Sequence, residues 1–78
     1  MEEKLFNQSF VYKSYSKHEL AQLYLPYNAR STAVKKFNLW LQQSPDFWNR
    51  LQEAGIDRCT RYYTSQQVQM IVNYLGEP

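Results

Sequence analysis

Two hexads, YSKHEL from Tyr15 and YTSQQV from Tyr63, constrain the fold of this chain more than any other feature. Both read aromatic, hydroxyl, two polar residues, Glu or Gln, aliphatic. That order is a helix start. Ser16 is an N-cap and Glu19 falls at the third helical position, completing a capping box. Tyr15 and Leu20 have the spacing of a hydrophobic staple across that start. In the second hexad Thr64 caps, Gln67 answers it, and Tyr63 can staple Val68. The chain must therefore leave extended backbone and begin a helix twice in the same way. The sequences downstream of the hexads do not match, so the repetition is not a duplicated domain.

With 78 residues, 17% of them aromatic, a single small domain over 1–78 is expected, its core rich in rings. No run of eighteen apolar residues occurs, so no membrane span is expected. The start MEEKLFNQSF is acidic and lacks the apolar stretch of a secretory signal. One cysteine, Cys59, leaves no internal disulfide, and a cytoplasmic location is the default expectation.

Periodicity predicts four helices. The first covers 17–24, with Leu20, Leu23 and Tyr24 apolar and Ala21 small enough for close contact. Pro26 stops it. Asn28 is the expected cap of a second helix over 29–43. Ala33, Val34, Phe37, Trp40 and Leu41 share one face of it, and Ser31, Lys35, Lys36, Asn38 and Gln42 lie opposite. Ser44 and Pro45 open a third helix, 45–54, ended by Gly55. The last helix, 65–75, turns Val68, Ile71, Val72 and Leu75 inward and stops at Gly76. Two stretches, QSFVYKSY and IDRCTRYY, favour extended chain and can pair as a minimal antiparallel ribbon. The predicted core is Leu20, Phe37, Trp40, Leu41, Leu51, Val68 and Ile71.

Catalysis has little support in these residues. One His and one Cys cannot make a multi-ligand zinc site by themselves. Cys59 reads as a small packed residue and His18 as an exposed one. No glycine-rich phosphate loop occurs, because Gly55 and Gly76 are isolated. Neither a cofactor nor a metal is called for, and no enzyme is expected.

Charge points elsewhere. Between Lys13 and Lys36 five Lys or Arg face one Glu, whereas 37–57 is net −2. Arg58 and Arg61 then add a second basic zone. A short helix, a turn and a longer helix with a polar, basic outer face is the outline of a helix-turn-helix. Arg30, Ser31 and Thr32 would stand near base edges, with Lys35 one turn on. Lys36 and Lys17 would suit phosphates. Arg58 and Arg61 would sit on the ribbon as a wing, with Tyr62 beside them to stack or pack. The plainer alternatives are a solvated helix face and an edge strand protected by charge.

The stretches YSKHELAQLY and RYYTSQQVQMIVNYL resemble winged helices of the MerR and excisionase types. Glu19-Leu20-Ala21 and Arg61-Tyr62-Tyr63-Thr64 carry that resemblance. It implies that the second helix and the wing face DNA. Over most of its length the chain is also similar to a family of short, uncharacterised bacterial proteins, a domain of unknown function. There the ELAQLY start is matched by a tail with Gln67-Val68, Ile71-Val72 and Tyr74 to Pro78. That likeness implies kinship without an activity. The expected fold is thus mainly α, a four-helix winged helix-turn-helix-like domain with a short two-stranded antiparallel ribbon. The expected partner is double-stranded DNA, bound by a small regulator or architectural accessory. The rival expectation is a protein-interaction module that docks a partner, or a second copy, through exposed aromatics.

Overall fold

The computed structural model describes residues 10–78, so the first two residues of QSFVYKSY and the acidic start lie outside it. Six elements follow in order: β1 (Tyr15–Ser16), α1 (Lys17–Tyr24), α2 (Arg30–Gln42), α3 (Pro45–Glu53), β2 (Tyr62–Tyr63) and α4 (Ser65–Leu75). The fold is mainly α, four helices with one two-stranded antiparallel ribbon, as expected.

The hexads form both features assigned to them. β1 and β2 are antiparallel, with Tyr15 opposite Tyr63 and Ser16 opposite Tyr62. Each strand runs straight into a capping box. The Glu19 amide donates to Ser16 Oγ at 3.2 Å, and the Ser16 amide donates to Glu19 Oε1 at 3.0 Å. Those bonds, the one from the Ser16 backbone above all, hold the Glu19 carboxyl below its usual range. The second box is the same: Gln67 N–H to Thr64 Oγ1 at 3.2 Å, Thr64 N–H to Gln67 Oε1 at 3.0 Å. Gln67 does one thing a glutamate could not. Its Nε2 donates to the Ala54 carbonyl at 2.7 Å, fastening the start of α4 to the end of α3. That end is a Schellman motif. Gly55 takes φ 99°, its amide bonds Gln52 O, and the Ile56 amide bonds Leu51 O. Leu51 and Ile56 are both buried, which supplies the apolar contact that accompanies the motif.

Every predicted core residue but one is buried. Leu20, Phe37, Leu41, Leu51, Val68 and Ile71 join Phe47, Ile56 and Tyr63 in one cluster. Trp40 is only half-buried, at the cluster's edge, with its ring edge-on to Tyr24. Ala21 and Ala33 are fully buried, as close packing of α1 on α2 requires.

Two further differences concern the turn before α2. The helix begins at Arg30, with Ala29 in the capping position and no side-chain cap. Asn28 does not cap it, because it belongs to the preceding turn. Its amide donates to Leu25 O at 3.2 Å, and its carbonyl accepts from Gln22 Nε2 at 2.8 Å.

Tyr63 carries an anomaly. It is 1% exposed, and its hydroxyl has no hydrogen-bond partner among the described residues. Burial pushes that phenol well above its ordinary value. Tyr24, whose hydroxyl donates to the Gly76 carbonyl, is pushed up to about 12, again mainly by burial.

Three outcomes follow for chemical denaturation. Ser16→Ala and Thr64→Ala each lower stability by about 1 kcal/mol. Gln67→Glu keeps the box but loses the bond to Ala54, costing about 0.5–1.5 kcal/mol; an unchanged midpoint would show that bond to be idle. Tyr63→Phe removes a buried, unpaired hydroxyl and leaves stability equal or higher by about 1 kcal/mol. The two phenols have raised folded-state pKa values, so their contribution is complete below pH 10.0 and is lost as pH rises towards about 12 and beyond. Tyr63→Phe therefore flattens the alkaline fall in stability, as a denaturation series from pH 9 to 12 would reveal.

Candidate functional site

α2 divides cleanly into faces. Ala33, Phe37 and Leu41 point into the core. Ser31, Thr32, Lys35, Lys36 and Leu39 are exposed, as is Arg30 at the helix start. The outer face is therefore open along the helix and is covered neither by α3 nor by the ribbon. At about 100° per residue, Lys35 and Lys36 stand on either side of that face. Val34 and Asn38, half-buried, form the flank on the Lys35 side.

That flank is one wall of a groove of about 500 Å3. Its other walls are the start of α1, with Lys17 and His18, and the segment from Arg58 to Tyr62. A self-bonded turn shapes the segment. Asp57 Oδ1 accepts from the Cys59 amide at 2.8 Å and from the Thr60 hydroxyl at 3.3 Å. The Asp57 amide donates to Thr60 Oγ1 at 2.9 Å, and the Thr60 amide returns to the Asp57 carbonyl at 3.2 Å. Neither arginine lies on the ribbon as expected, because the turn takes up residues 57–60 and β2 begins only at Tyr62: the turn presents Arg58 at its tip, and Arg61 follows just before β2. Both are exposed, and both line the groove.

The structure thus brings Arg58 and Arg61 together beside the Lys35 flank of α2. It sets Lys36 on the far side of the helix. Arg30, Ser31 and Thr32 sit at the helix start, before the groove.

Three readings of single residues need correction. Lys17 is not on an open surface. It is 9% exposed, because the ribbon folds over the first turn of α1. Its amide donates to Arg61 O at 2.7 Å, and its Nζ donates to Arg58 O at 3.0 Å. Desolvation lowers its pKa, against the opposing pull of Asp57 and Cys59. Cys59 is exposed rather than packed, since the turn uses its amide and leaves the side chain outside. His18 is half-buried, its Nδ1 3.4 Å from Ser16 Oγ. The Asp57-x-x-Thr60 spacing was the available signal for the turn. Nothing local in the sequence marks Lys17 as covered, because its cover arrives from residues 58–61.

Among the described residues, no group of three or more His, Cys, Asp or Glu is arranged to hold a metal ion. None of the described helices is long and apolar enough to cross a membrane.

Residues 11–78 match the family described as Domain of unknown function (DUF4248). The chain belongs to this family. No curated protein and no solved structure matches it. The family description names no activity, so the chemistry of the DUF4248 site has to be taken from its own residues.

Proposed function

We propose that this DUF4248 chain binds double-stranded DNA in the manner of a winged helix-turn-helix, as a small regulator or architectural accessory. The observation that carries this is the open, polar outer face of α2 beside a groove bearing Arg58 and Arg61. A helix with one face free is what a major groove admits. Arg30 can take guanine bidentately, and Ser31 and Thr32 can reach either a base or a phosphate. Lys35 and Lys36, on opposite sides of the face, suit the two phosphate walls of the groove. Leu39, 68% exposed in their midst, suits a thymine methyl. Among the described residues the first amides of α2 have neither helical acceptors nor a side-chain cap, so they too can donate to a phosphate. The turn at 57–61 would act as the wing. Glu19-Leu20-Ala21 and Arg61 to Thr64 support this through their likeness to MerR and excisionase proteins. Its exposed free thiol at Cys59 suits the reducing cytoplasm. No catalytic step and no cofactor belong to this proposal.

A second reading has one observation in its favour. Tyr27 is 99% exposed in the turn before α2, and Tyr62 and Tyr74 are exposed as well. Exposed rings are what a docking surface for a protein partner, or for a second copy, would use.

Binding of random-sequence duplex at two salt concentrations separates the two. DNA binding predicts an affinity that falls steeply with salt. Arg58→Ala and Lys36→Ala each lower the slope by about one and weaken all sequences alike. Ser31→Ala and Thr32→Ala change which sequences are preferred. Absent or salt-independent binding overturns the proposal.

A further inference from the structure

Lys17 presents an electrostatic problem that the described residues do not solve among themselves. Little of Lys17 as a residue is exposed, and a partly desolvated ammonium is costly unless it is paired with a charge and its three N–H donors are used. Here one donor is used, on a neutral acceptor, the Arg58 carbonyl. No carboxylate among the described residues bonds it. Asp57, the acidic neighbour, turns Oδ1 into its own turn, towards the Cys59 amide and the Thr60 hydroxyl. Two further cations, Arg58 and Arg61, line the same groove, and among the described residues no carboxylate bonds them either. Three positive groups around one concave space, one of them on a residue with little exposure, are an electrostatic fit for an anion. Arginine forks and an ammonium together match a tetrahedral oxyanion.

We propose that the groove between the start of α1, the Asn38 flank of α2 and the 58–62 segment is a phosphate-binding site, with the Lys17 ammonium at its base and Arg58 and Arg61 at its rim. The chemistry is that of a phosphate ester. It can come from the backbone of a nucleic acid or from a free nucleotide, so the site does not depend on duplex binding. Tyr62, 73% exposed at the rim, is in position to stack on the sugar or base attached to that phosphate. Lys17 also has a positioning role, since the same Nζ that would meet the phosphate holds the Arg58 carbonyl.

The test uses inorganic phosphate, adenosine monophosphate and a random-sequence duplex, each titrated into isotope-labelled protein. Wild type, Lys17→Met and Arg61→Gln are compared. Met keeps the aliphatic stem and removes the charge; Arg61→Gln changes an exposed side chain and leaves the backbone acceptor of the Lys17 amide in place. Phosphate and the nucleotide should shift the amide resonances of Lys17, Thr60 and Arg61, and saturate. Each variant should weaken both by about tenfold, the effect of losing one charge-assisted hydrogen bond. Phosphate should raise the Tm of wild type more than that of Lys17→Met at equal ionic strength. If duplex binding weakens in parallel, the phosphate is a backbone diester. If phosphate and nucleotide bind with this dependence while duplex does not bind, the site stands and the DNA proposal falls. Phosphate or nucleotide that leaves the groove resonances unmoved, or that binds both variants as well as wild type, overturns the site. Duplex binding that shifts only α2 resonances and is unaffected by Lys17→Met would then leave the DNA proposal standing alone.

Discussion

The pairing of Tyr15 with Tyr63 is the contact on which the rest of the molecule depends. A two-residue ribbon has little stability of its own. It persists here because its residues serve twice. Tyr15 and Tyr63 are the residues just before two helix caps, and Ser16 opposite Tyr62 is itself a cap. Holding the ribbon therefore orients two helix starts, and each capping box holds its end of the ribbon in the extended conformation that a cap requires. Both tyrosines are buried, so the hydrophobic core and the strand pairing stabilise the same two positions. The buried Tyr63 hydroxyl is a cost of that arrangement, since Phe would fill the place without it.

The ribbon also decides what lies beside α2. The strands are joined by α1, α2, α3 and the 57–61 turn, and the chain must return antiparallel to its own start. On the way back it crosses the first turn of α1, where Lys17 receives it with a backbone bond to Arg61 and a side-chain bond to Arg58. Gln67 fixes the other end of the return by holding the Ala54 carbonyl. The basic turn is therefore held from both sides and faces the Val34 and Asn38 flank of α2 across the groove. The outer face of that helix stays open.

Much of this was legible in local patterns. The capping boxes are encoded within four residues, so Ser16 with Glu19 and Thr64 with Gln67 could be read with the correct bonds. Helical periodicity located the buried faces of α2 and α4, and Gly55 was readable as the end of α3, though not the Schellman bonds that close it. Legibility ended where an outcome depended on distant chain. Asn28 has the chemistry of a cap, but the tight turn from Leu25 claims its amide and leaves Ala29 in the capping position. Trp40 has the right phase for the core but lies at its rim, where Tyr24 meets it. Lys17 looks like any first-turn lysine until residues 58–61 arrive over it. For the same reason the surface residues Arg30, Ser31, Thr32, Lys35, Lys36, Arg58 and Arg61 could be named from sequence, while the groove joining the two arginines to the flank of α2 could not.

The distribution of exposed apolar side chains bears on which proposal the surface favours. A protein-docking face is expected to be a contiguous apolar patch with a polar rim. Tyr27 lies before α2, whereas Leu39 is near its far end, roughly 13 Å along the axis from the helix start at 1.5 Å per residue. Tyr62 lies by the Arg58–Arg61 groove instead. Single apolar residues so dispersed do not make a patch, and Leu39 among Lys35, Lys36 and Thr32 is compatible with a DNA-facing helix. The more continuous apolar surface is a second groove, lined by Tyr24, Trp40, Tyr74 and Leu75. Trp40 lies on the side of α2 away from Val34 and Asn38, which form the flank of the basic groove. A partner seated on the aromatic groove would therefore leave the arginine-bearing groove uncovered, while meeting α2 on the side where Lys36 stands one turn before Trp40.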